Sequence, residues 1–418
     1  VRAAVVILVL IACGLIQAFI GGAKMLYSIP AVAVLGATAL LLAVPRWNLP
    51  RTVSWACLAS TLLFAGYIAV RNRWSPVDYL ARQDLFILGG ALLVYLFTVV
   101  AINEQRHRGW FVGGSMVLCM AHVGLGIAQF RRGDQCMLIP WIKRLDDNWR
   151  ASGFYICPNH FAGLLEIFAL IGIAIVVWSR WKGWAKLLVG YASAACVVGV
   201  ALSGSRGAYL SLTFGVVCFV VLSLVAMAGV NPRRFWLATV VSVAAAALLV
   251  AGTVFMMFRS DVLRHRVGQI NDPKNMRLHM WSASLDQWKL DRTWGTGAGT
   301  YLYYGRRFRH ATVQNDPIYV HNDYLHLLAE YGVAGCVAFG LFFSVHGWAA
   351  FRGMRGLIRR GIETGQARSN NLAYNLGGIA AVGSYVAHSV VDFNLHIPAN
   401  AIVMGFVFGL FANPGVAL

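Results

Sequence analysis

Charge is scarce in this 418-residue sequence, and negative charge is scarcer still. Charged residues make up 12% of the chain, with 16 acids against 35 bases. An ordinary soluble domain carries about 25% charged residues, so this chain cannot coat a water-facing surface of its size. The loops expected outside the membrane contain no Asp-x-Asp pair, which argues against a divalent-metal sugar-nucleotide site. No CxxC pair or Cys/His spacing suggests zinc. The glycine-rich run Gly295-Thr-Gly-Ala-Gly299 has neither GxGxxG spacing nor a Walker lysine, and reads as a turn. No internal repeat or low-complexity segment stands out.

What the chain does have is apolar sequence in long blocks. Hydrophobic residues reach 59% and the mean hydropathy is +0.64. A spanning helix needs about 17–25 apolar residues, and uninterrupted blocks exclude the alternating pattern of a barrel. Expected spans are 3–20, 30–45, 53–70, 85–102, 110–130, 161–178, 186–202, 208–229, 235–257, 325–350, 376–391 and 400–412. Arg2 precedes the first block, but Gly21 and Gly22 follow without a small-x-small cleavage pattern, so the block is kept as a helix. The expected fold is an all-α polytopic membrane protein with about 12 transmembrane helices, forming a single membrane domain over 1–418.

The loops set an expected orientation. With the N-terminus in the cytoplasm, the short loops bearing Arg46 and Arg51, Arg106 and Arg108, Arg180 with Lys182 and Lys186, Arg233 and Arg234, and Arg352 to Arg368 lie inside. That agrees with the positive-inside rule. The long loops 131–160 and 258–324, the latter between the ninth and tenth spans, then face outward. Most of the net charge of +19 is accounted for by topology and by anionic headgroups. Nucleic acid is a poor partner, because the bases are dispersed between spans and form no binding module. Loop 258–324 remains, with Arg259, Arg264, Arg266, Lys274, Arg277, Lys289, Arg292, Arg306, Arg307 and Arg309. Cations on a translocated loop serve no topological need and suit an anionic substrate.

Five segments carry candidate chemistry. Leu202-Ser-Gly-Ser-Arg206-Gly-Ala208 places Arg206 at membrane depth, where it either snorkels or faces a phosphate. In Val320-His321-Asn322-Asp323-Tyr324-Leu325, Asn322 or Asp323 caps a helix and His321 stands at its mouth, able to accept a proton. His388 and Asp392 are four apart and are expected on one helix face, as a functional pair or as a structural tie. Asn159 and His160 open the helix that follows the first long loop. Arg277 with Trp281 belongs to an expected amphipathic helix over about 275–290, lying at the membrane surface. Cys136 and Cys157 share loop 131–160, which on the outer side is oxidising, so a disulfide between them is expected. It would be worth about 3 kcal/mol.

Taken in order, Ser205-Arg206-Gly207-Ala208, Arg277, and His321-Asn-Asp-Tyr-Leu325 followed by Ala329-Glu-Tyr-Gly-Val-Ala-Gly335 resemble the O-antigen ligase and polymerase superfamily. Asn159-His160-Phe-Ala-Gly163 and Val391-Asp-Phe-Asn-Leu-His-Ile-Pro398 are similar to stretches found in many members. The resemblance runs from about 150 to 400. It implies a GT-C-like glycosyltransferase of the bacterial inner membrane, multi-pass, with its site on the periplasmic face. Such enzymes pass a glycan from undecaprenyl-diphosphate to lipid A–core, a growing glycan or a protein acceptor, with no metal and no nucleotide cofactor. Carried over by motif, Arg206 and Arg277 hold the diphosphate and His321 is the base, with Asn322, Asp392, His388, Asn159 and His160 as supporting residues.

The residue chemistry suits that role. A base must take a proton from the acceptor hydroxyl, and imidazole does this near neutral pH. Arginine forks match phosphate oxygens and stay charged. Ligase, polymerase and protein-glycosylating activities all stay open at this point. So does a secondary transporter with Arg206, Asp392 and His388 as its pathway, although the halves show no inverted repeat.

Overall fold

The computed structural model describes residues 1–43, 52–133, 136–142, 144, 149–230, 240, 251, 255, 276–314 and 316–416. The helices are α1 Arg2–Ala18, α2 Met25–Ala43, α3 Trp55–Arg73, α4 Asp78–Val100, α5 Gln105–Arg132, α6 Pro158–Trp178, α7 Gly183–Leu202 and α8 Arg206–Val230. After them come α9 Met276–Trp288, α10 Tyr301–Arg307, α11 Asp323–Glu363, α12 Asn370–His388 and α13 Pro398–Ala412. Among the described residues there is no strand. Each expected span coincides with a helix except 235–257, which lies outside the described residues apart from 240, 251 and 255.

Burial follows composition. Apart from Glu166 and the opening Asn159 and His160, α6 is apolar on every side, and it is buried on nearly every side. A helix apolar all round belongs in the middle of a bundle. Helices α5, α7, α8 and α12 pack around α6, while α13 lies along α4. Outer helices turn large apolar side chains outward. Leu40, Leu187, Leu210 and Val337 are all more than 60% exposed. Exposed apolar surface on this scale marks an interaction surface, here a bilayer. Seven of the described helices are long and apolar enough to cross a membrane, and α1 and α13 are shorter apolar helices.

Helix α11 departs from the expected span 325–350. It has 41 residues, which at about 1.5 Å per residue is roughly twice a hydrocarbon core of about 30 Å. Its last turns carry Arg355, Arg359, Arg360 and Glu363, and Arg359 Nε donates to Glu363 at 2.9 Å, so the helix continues beyond the apolar block. Near its start it kinks at Gly332 (φ 65°, ψ −171°). The kink frees helix groups, and the turn 292–297 takes them up. Val333 and Ala334 N–H donate to the carbonyls of Arg292 and Thr293, while Thr296 and Gly297 N–H donate to those of Ala329 and Glu330. The glycine-rich run is therefore a turn, as expected, and it clasps a helix. Gly299 and Tyr301 N–H also donate to the Glu330 carboxylate, both at 2.8 Å.

Residues 150–155 of the first long loop fold back into the bundle. Gln129 of α5 grips them: its carbonyl oxygen accepts from Ser152 and Gly153 N–H at 2.9 and 3.0 Å, and its amide donates to Gly153 O at 2.9 Å.

A Cβ at Gly332 would lie 2.4 Å from Thr293 O and 2.5 Å from Gly295 N, at a positive φ. Gly332→Ala is expected to destabilise the protein by at least about 1–3 kcal/mol, seen as a lowered melting temperature in detergent. An unchanged melting temperature would mean that the clasp does not hold α11.

Candidate active site at one end of the bundle

Five segments meet where α6, α8, α9 and α11 begin and the α12–α13 connection turns. At the centre is Asp392. The helix ends at His388, so residues 389–392 form a turn and the expected shared helix face does not exist. His388 and Asp392 face different partners. His388 Nδ1 lies 3.0 Å from Glu166 Oε1 inside the bundle, where Glu166 Oε2 also accepts from Ser211 and Ser384 hydroxyls at 2.9 and 2.7 Å. Asp392 points the other way, its side chain 2% exposed.

Around the Asp392 carboxylate, Asn159 Nδ2 donates to Oδ2, and Arg277 Nη2 stands 3.7 Å from the same oxygen. His321 Nδ1 and His160 Nε2 lie 3.5 and 3.8 Å from Oδ1. Burial by itself would raise this carboxyl's pKa. His321, Arg277 and His160 outweigh burial and hold it well below the usual carboxylate range. The group is a fixed anion beneath two half-exposed side chains, His321 at 30% and Arg277 at 34%.

His321 is strained into place. Its φ is 56°, a region that non-glycine residues seldom occupy, and such strain tends to gather at functional sites. The residues on either side hold it there. Trp281 Nε1 of α9 donates to His321 O at 3.4 Å. Asn322 is the cap of α11, its side chain accepting from Tyr324 and Leu325 N–H at 3.0 Å. Asp323 N–H donates to Ser389 O, and its carboxylate accepts from Ser389 Oγ at 2.8 Å and pairs with His396 Nδ1 at 2.7 Å. Burial would lower the pKa of His396, but Asp323 prevails and raises it. The Phe393 ring separates the two imidazoles edge-on, at 4.7 Å from each of His160 and His321.

Arg206 opens α8, whose first turn is capped by Ser205 Oγ accepting from Ala208 N–H. The turn lies against the Asp392 segment: a Cβ at Gly207 would come within 2.8 Å of Val391 and 3.4 Å of His388. The expected site residues thus gather at one end, except His388, which belongs to the buried Glu166 cluster. The amphipathic helix expected over 275–290 is α9. The expected Cys136–Cys157 bridge is not formed. Cys157 is a free thiol at the start of α6, pushed up to about 11 by burial, while the Cys136 carbonyl is held by Gln129.

Sequence reasoning missed Arg150, Glu166 and the pairing of Asp323 with His396. All but one of their partners are distant in the chain, and no local spacing announces them. Glu166 alone had a signal, as an acid inside an apolar block.

A helical membrane protein with an arginine–carboxylate–histidine cluster at the mouth of its bundle is the class these features define. Within it, residues 191–340 match the family model described as O-antigen ligase, a likeness to the O-antigen ligase and polymerase superfamily over that stretch. The matched stretch includes Arg206, Arg277 and His321 but not Asn159, His160 or Asp392. No curated protein matches the chain.

Because the folded-state pKa of Asp392 is depressed, its contribution to stability is present above the unfolded value of about 4 and is lost as pH falls below it. Melting temperature is expected to fall more steeply for the wild type than for Asp392→Asn as pH drops from 5 to 3. Parallel slopes would count against a charged, held Asp392.

Proposed function

We propose that this chain is a glycosyltransferase of the O-antigen ligase type. It moves a glycan from undecaprenyl-diphosphate to an acceptor hydroxyl, lipid A–core foremost, at the periplasmic face of the inner membrane. The observation that carries this reading is one buried carboxylate, Asp392, gathering His321 and Arg277 beside the Arg206 turn. Transfer to a growing glycan or to a protein uses the same chemistry with another acceptor.

In this reading His321, oriented through Nδ1 by Asp392, accepts the acceptor's hydroxyl proton on Nε2. The hydroxyl oxygen bonds to the anomeric carbon as that carbon's bond to the diphosphate oxygen breaks. The electron pair leaves with the diphosphate, and attack from the opposite face inverts the carbon. Arg277 and Arg206 stabilise the departing charge, which grows in a partly desolvated site where fixed cations count for more than in water. Two guanidinium groups can supply the charge that a metal ion supplies in other transferases.

The test is transfer by the purified chain from undecaprenyl-diphosphate-linked glycan to lipid A–core, with chelator and without nucleotide. Wild-type turnover is expected to persist with chelator. His321→Ala should lose about 10²–10⁴-fold in kcat, and Arg277→Ala or Arg206→Ala about 10²–10³-fold. Lengthening of the lipid-linked glycan without ligation would indicate a polymerase. A folded sample that consumes no donor with any acceptor would overturn the proposal and favour transport.

A further inference from the structure

Arg150 lies in the folded-back first loop, outside the matched stretch and outside every motif discussed above. It is buried, 8% exposed. Its Nε donates to Ser203 O at 2.7 Å and its Nη2 to Asn159 Oδ1 at 2.8 Å. The turn at 203–205 closes on it, so that a Cβ at Gly204 would meet Arg150 Nε at 3.4 Å. Beside it, Ala151 N–H donates to Leu202 O at 3.0 Å, fastening the loop to the end of α7.

These contacts decide which way the Asn159 amide faces. The two ends of an amide are nearly the same size but opposite in hydrogen-bonding sense, and a guanidinium can only donate. With Arg150 donating to Oδ1, the NH2 end must turn toward Asp392, where it donates to Oδ2. A reversed amide would place an acceptor against a buried carboxylate and leave that charge short of a donor, which is costly in a low-dielectric site.

We infer that Arg150 is a positioning residue for the transfer reaction: it fixes the Asn159 amide, which aligns Asp392 and through it His321. The same guanidinium holds the carbonyl of Ser203, three residues before Arg206. One buried cation therefore sets the spacing between the turn assigned to the diphosphate and the carboxylate that orients the base. This inference rests on the proposed transferase function.

The experiment is a double-mutant cycle on the full chain in detergent, using undecaprenyl-diphosphate-linked glycan and lipid A–core. The variants are Arg150→Ala, Asn159→Ala, the pair together, and Arg150→Lys. Misplacement of a reacting group by about 1 Å costs up to ~10²-fold, so each single alanine variant is expected to lose roughly 10- to 100-fold in kcat with donor KM changed less than about threefold. The double variant should lose no more than the worse single, because both act through one link. Arg150→Lys should fold like the wild type by melting temperature yet lose kcat, since one ammonium cannot hold both acceptors. Losses that multiply in the double variant, or an Arg150→Lys protein with wild-type kcat, would overturn the inference. A wild type that turns over no donor overturns the transferase reading instead. The cycle is then read on melting temperature, where additive losses would sink the Arg150–Asn159 link as well.

Discussion

The site depends on one anion kept out of water. Removing a carboxylate from solvent costs several kcal/mol unless charges and donors replace the water, and Asp392 is 2% exposed. Its neighbours supply the replacement: an amide, a guanidinium and two imidazoles, reaching it from α6, α9 and the segment before α11. These elements are far apart in sequence. The bundle end closes around the charge, and the charge in turn dictates where each of these side chains can stand.

A second layer lies behind it. Asp323 is pinned to the α12–α13 connection through Ser389 and His396, so the strand of chain carrying His321 and the turn carrying Asp392 are tied together twice. Deeper still, Glu166 is held by Ser211, Ser384 and His388. Each of these acids has its own set of partners.

Most of the fold was legible in the sequence, because a bilayer demands long apolar blocks and long blocks are visible by eye. The end of α11 was not, since i,i+4 charge pairs such as Arg359 with Glu363 extend a helix without apolar character. In the site, His321, Arg277, Asn159, His160 and Asp392 were legible as residue types in motifs. Their mutual geometry was not. The four-residue spacing of His388 and Asp392 suggested a shared face, but the rule holds only inside a helix, and α12 stops at His388. Arg150 carried no local signal because its role is defined through Ser203 and Asn159. The Cys136–Cys157 expectation took residues in one loop to be neighbours, whereas Gln129 of α5 holds the Cys136 carbonyl and Cys157 stands at the start of α6.

The break at Gly332 has a mechanical consequence. A continuous rod would transmit any tilt of its membrane shaft to its tip, multiplied by length. In α11 the tip, from Asp323 to Tyr331, is gripped instead by the turn 292–297 and by the α12–α13 connection. Because the turn 292–297 holds groups on both sides of the break, Ala329 and Glu330 before it and Val333 and Ala334 after it, the joint is a braced corner that sets the platform under His321 off the line of the shaft.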